Sequence, residues 1–187
     1  MVFVPFTGID NHKCSITFGC GLLLNEDTQS YVWLFENFKK SMGHAPHVIM
    51  TDQDGAVKAA VAIVFPNVIH RFCMWHIMFK VPTKVKLDPS VVENFRNRFN
   101  STVWSVFPKP QEFEDQWHSI ISDFHLESNT WLHSMFELRR FWIPAFFSEV
   151  TMSGLMRTTS RSEIQNFFFS NFIRASSSLS LFLVAVR

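Results

Sequence analysis

A chain of 187 residues that is 47% hydrophobic and 18% charged can bury a real core, and it is neither disordered nor fibrous. Its net charge of +1 excludes a nucleic-acid module recognisable by charge alone, and the clusters Lys39-Lys40, 80–86 and Arg139-Arg140 read as solvated faces. Three cysteines (Cys14, Cys20 and Cys73) are an odd count without framework spacing, which reads as free thiols in a reducing compartment.

The N-terminus lacks the basic and apolar regions of a secretory signal, and no apolar run approaches the roughly 20 residues of a membrane helix, so no membrane partner is expected. Aromatic content is high, with 22 Phe and 6 Trp against a single Tyr. Most of these read as core, and the excess hints at a surface meant for a partner.

Residues 2–9 and 15–24 read as strands, and the polar break Asp10-Asn11-His12-Lys13 between them predicts a hairpin. Asn25 to Thr28 supply cap residues for a helix carrying Tyr31, Leu34, Phe35, Phe38 and Met42, which Gly43 ends. Residues 48–51 form the next strand, apolar enough to be parallel and covered on both faces. Val57, Ala60, Val61, Val64 and Phe65 make a second helical stripe, stopped by Pro66-Asn67, and a short strand over 68–72 leads to Cys73.

The pattern then turns helical over 89–141. Its stripes are Phe95, Phe99 and Val103; then Phe113, Trp117, Ile120, Ile121 and Phe124; then Trp131, Met135 and Phe136. Residues 143–161 are irregular, and a last helix begins near 160–162 with Glu163 in its first turn. The organisation read from this is an α/β part over 1–88, a helical insertion over 89–141, and a return segment with a C-terminal helix over 142–187.

Asp52 stands at the carboxyl end of a strand, where open α/β sheets place their ligands, and a carboxylate there can hold Mg²⁺ or Mn²⁺. The competing reading is that Asp52 or Asp54 caps the following helix. Cys73-x-x-His76 has the spacing of half a zinc site, yet no second pair follows; alone, the pair reads as a buried thiol and a hydrogen-bonded histidine. Glu163, in Ser160-Arg161-Ser162-Glu163, has capping-box spacing, and a metal role would require it to approach Asp52.

Three groups of residues carry a resemblance. The first is 5–12, 18–24 and 33–35. The second is 49–54, Val64-Phe65-Pro66, His70-Arg71-Phe72-Cys73-Met74-Trp75-His76 and Lys80-Val81-Pro82. The third is 142–146 and 158–163. In this order they resemble the transposase domain of Mutator-like elements, and most closely its domesticated plant branch, the FAR-RED IMPAIRED RESPONSE family.

The resemblance implies an α/β, RNase H-like fold of the DDE transposase/integrase type, with an all-helical insertion. It also implies a site of two aspartates and a glutamate around two divalent metals, Mg or Mn. Asp52 falls on the family's second acid and Glu163 on its third; Cys73 and His76 fall on its C-x-x-H signature.

The family's first aspartate lies on a strand upstream of the region in which this sequence begins, so the expectation is a mixed sheet lacking its first strand. The zinc-chelating N-terminal domain and the C-terminal zinc finger of intact relatives are not matched either. The function this implies is that of a transposable-element-derived plant protein of the nucleus. It would act in transcription regulation through DNA or through family members as homo- or hetero-oligomers, and would not be catalytic as it stands. The alternative is a fragment of a DDE transposase that cleaves and joins DNA with metal.

Overall fold

β-Branched and aromatic residues along Val2–Ile9 (β1) and Ser15–Leu23 (β2) favour strands, which pair in an antiparallel ladder from Val2 opposite Leu23 to Ile9 opposite Ser15. The register shifts between Phe6 and Thr7. The computed structural model describes residues 2–9, 12, 14–105 and 109–147. Turn positions 10, 11 and 13, and the expectations placed on 148–187, lie outside the described residues.

Helix α1 (Thr28–Met42) starts where the Asp27 carboxylate accepts from Ser30 N at 2.8 Å. It ends at Gly43, whose φ of 76° is a left-handed closure that glycine adopts without strain. Helix α2 (Gly55–Val64) is capped by Asp54, which accepts from Val57 N at 2.8 Å. At its far end Lys39 of α1 donates from Nζ to Val64 O at 3.2 Å, placing a cation at a helix C-terminus.

These two helices cover one core. Tyr31, Leu34 and Phe35 meet Val57, Ala60, Val61, Val64 and Phe65, and Val2, Val4 and Phe6 of β1 pack against them. Phe6 stacks on Phe38 with ring centroids 4.0 Å apart. Gly21 of β2 lies so close to α1 that a Cβ there would run into the Leu34 side chain.

Strand β3 (Val48–Thr51) leads into α2 and then to β4 (Ile69–Phe72), a strand–helix–strand unit whose strands pair with each other. Two expectations are corrected here. Every residue of β3 is half-buried, so the strand is not covered on both faces, despite its apolar sequence. Among the described residues the four strands also form two separate two-stranded ladders, β1–β2 and β3–β4, and not one mixed sheet.

The described chain divides into two units, one running to His70 and one from Arg71 onward. The second is helical: α3 (Met74–Lys84), α4 (Pro89–Trp104), α5 (Pro110–Asp123), α6 (Thr130–Glu137), α7 (Arg139–Trp142) and a 3-10 turn over Pro144–Phe147. The three aromatic stripes form α4, α5 and α6 as read. Asp88 caps α4 with Pro89 following it, and Asn129 caps α6 through Leu132 N at 2.9 Å.

Helix α3 is the element the sequence reading missed. It has no side-chain cap and carries Pro82 inside it, both of which argue against a helix locally. Its signal was the spacing of Met74, Ile77, Met78 and Val81, which pack on the core of this unit. That core centres on Trp142, fully buried, whose Nε1 donates to Met135 O at 3.0 Å while its ring meets Trp117 edge-on at 6.3 Å. Arg71 is buried too, its guanidinium 4.3 Å from the centre of the Phe147 ring.

Candidate functional site

The chemistry-bearing residues that the structure brings together lie at the end of β3, beside His70 of β4. Asp52 immediately follows β3, solvent-exposed, with Asp54 two residues on. The two readings of this acidic pair separate cleanly. Asp54 caps α2, so the carboxylate of Asp52 is not what closes that helix.

The strand end is braced by an arrangement the sequence reading did not assign. The Thr51 hydroxyl donates to the Asp52 carbonyl at 2.7 Å, and His70 Nε2 stands 2.9 Å from the same Thr51 oxygen. A hydroxyl has one hydrogen, and here it is committed to the carbonyl. His70 Nε2 is therefore the donor, which leaves Nδ1 as the acceptor in the neutral ring. Burial, with Lys58 adding to it, pushes the His70 pKa down to about 4, so the ring is neutral near pH 7.

Tyr31 was read only as part of the α1 stripe, yet it reports on the same charges. Burial, with Glu26, Asp54 and Asp52 adding to it, raises its phenol pKa to about 12. The one clue in the sequence was that a single hydroxylated ring stands among 22 Phe.

Cys73 is fully buried at the N-cap position of α3, and His76 is half-buried one turn on. Glu163 lies outside the described residues. Among the described residues no group of three or more His, Cys, Asp or Glu is placed to hold a metal ion. A divalent metal of the Mg or Mn type asks for several oxygen ligands, and zinc for four ligands. The described residues do not assemble either set: Asp52 supplies one carboxylate, and Cys73 with His76 one thiol and one imidazole.

Residues 1–80 match the MULE transposase domain, which sets the class. Among curated proteins of Arabidopsis thaliana, Protein FAR1-RELATED SEQUENCE 4 is 33% identical over 181 residues, 96% of this chain and 24% of its own length. Protein FAR1-RELATED SEQUENCE 5 is 36% identical over 181 residues, 96% of this chain and 23% of its own length. Protein FAR-RED IMPAIRED RESPONSE 1 is 36% identical over 179 residues, 95% of this chain and 21% of its own length.

The chain belongs to the FAR-RED IMPAIRED RESPONSE-related family of MULE transposase-domain proteins. It spans between a fifth and a quarter of the length of these curated relatives.

Proposed function

We propose that this chain is part of a transposase-derived regulatory protein of the plant nucleus, working in transcription by binding DNA or family members and not by cutting DNA. The observation that carries this reading is a similarity running along 95–96% of the chain to proteins named for the far-red response. Binding to DNA that collapses with salt, and equally for every sequence, would contradict a specific regulator. Binding that prefers particular sequences, or association with intact family members, is the expected result.

The fold in this reading is RNase H-like, with the helices of the second unit as its insertion, and the three-part organisation 1–88, 89–141 and 142–187 belongs to it. The pairing pattern supports it. In an RNase H-like sheet one further strand stands between the pairs corresponding to β1–β2 and β3–β4, and those two pairs are separate here.

The second reading is a piece of a DDE transposase, with Asp52 and Glu163 as Mg or Mn ligands. It is favoured by Asp54 taking the capping role and by the Thr51–His70 bracing of the backbone at Asp52. Zinc enters neither reading through the described residues, only through other domains of intact relatives. Plasmid nicking with Mn²⁺ separates the two: activity abolished by Asp52→Asn would establish the enzyme, and its absence keeps the regulator.

A further inference from the structure

On helix α3, Met74 and Ile77 are fully buried, whereas Trp75 and Phe79 are 43% and 70% exposed. One helical turn apart, the two exposed rings lie nearly parallel, with centroids 5.2 Å apart and planes at 21°. The indole also meets the His76 ring edge-on at 5.2 Å, which holds it in that orientation. Large rings kept in water side by side mark a contact surface more often than a packing accident.

The charges along α3 and just beyond it select the occupant. Lys80 and Lys84 lie on the same helix and Lys86 just beyond it, all exposed, and residues 74–87 contain no Asp or Glu. In a chain of net charge +1 this is a local cationic stretch. Flat apolar rings beside cations fit a ligand that is flat and anionic. An unpaired nucleic-acid strand offers both, its bases for stacking and its phosphates for the lysines. A duplex hides the base faces within its own stack and offers only phosphates and groove edges.

We propose that Trp75 and Phe79 form a stacking platform for unpaired bases, with Lys80, Lys84 and Lys86 holding the phosphodiester backbone. The proposal deepens the nucleic-acid-binding reading above and rests on it.

The test uses the whole chain, a labelled oligothymidylate strand and a duplex of equal length, with binding read by anisotropy and by quenching of Trp fluorescence. Trp75→Ala and Phe79→Ala should each weaken single-strand binding roughly five- to a hundredfold while leaving duplex binding within about twofold. Phe79→Tyr, which keeps a stacking ring, should bind like the parent chain. Both positions are exposed, and an unchanged far-UV circular dichroism spectrum verifies the fold of each variant.

Single-strand binding indifferent to both alanine variants, with duplex binding intact, overturns this inference and leaves the DNA-binding reading standing. No binding to either nucleic acid overturns both. Self-association lost in Trp75→Ala, with nucleic-acid binding untouched, makes the surface a protein contact and also overturns the proposal.

Discussion

His70 Nε2 lies 2.9 Å from Thr51 Oγ1, joining the end of β3 to the second residue of β4 through a hydroxyl whose own hydrogen goes to the Asp52 carbonyl. The chain of bonds sets where the backbone of Asp52 stands, and with it where that carboxylate begins. It works with a neutral imidazole, because burial holds the His70 pKa near 4.

Acid should therefore weaken this unit through His70. The unfolded histidine titrates near 6.5 and the folded one at about 4, so between those values the unfolded chain binds a proton that the folded chain does not. Stability is fully present above about pH 6.5 and falls as pH drops toward 4. After allowance for the ring's partial exposure, the loss is about 1–2 kcal/mol. Urea unfolding at pH 7 and pH 4.5 checks it: His70→Gln should be less stable at pH 7 and show a shallower loss on acidification. Parallel slopes for the two proteins would refute the assignment.

The two aspartates after β3 should behave differently. Asp54→Ala removes the bond to Val57 N at the start of α2 and should cost about 1 kcal/mol. Asp52→Asn touches no cap and should change stability by less than about 0.5 kcal/mol. Equal losses in thermal melts of the two variants would mean that the roles are shared.

Gly21→Ala should destabilise the first unit by about 1–3 kcal/mol, because the new methyl group meets the buried Leu34 side chain. Leu34→Ala alone opens a hole in the same place. Combining it with Gly21→Ala should therefore cost less than the sum of the two single changes. Additive costs in denaturant unfolding would show that β2 and α1 yield to each other independently.

Trp142→Ala should cost about 3–5 kcal/mol, since the ring is fully buried among the helices of the second unit. Trp142→Phe keeps much of the volume but loses the Nε1 bond to Met135 O, so a smaller loss is expected. Near-UV circular dichroism during urea unfolding would report both. A Trp142→Ala protein as stable as its parent would remove Trp142 from the centre of this core.

The sequence by itself determined most of the elements. Periodic apolar stripes marked α1, α2, α4, α5 and α6, and Asx residues sat where four of their caps stand: Asp27, Asp54, Asp88 and Asn129. Such signals are local, since a cap bond spans two or three residues and an amphipathic face repeats within one turn. The order of motifs also carried the family.

Helix α3 escaped because its local signs, a missing cap and Pro82, contradict a helix that is held by burial of Met74 and Ile77 in its unit's core. Only the tertiary structure decided which aspartate capped α2, that β3 was half-buried and, among the described residues, paired with β4 alone, and that His70 reached Thr51 across 19 residues of sequence. Each of these depends on atoms brought together by packing. A carboxylate reads the same in a sequence whether or not it caps, and an apolar strand reads the same whether one face or both are covered.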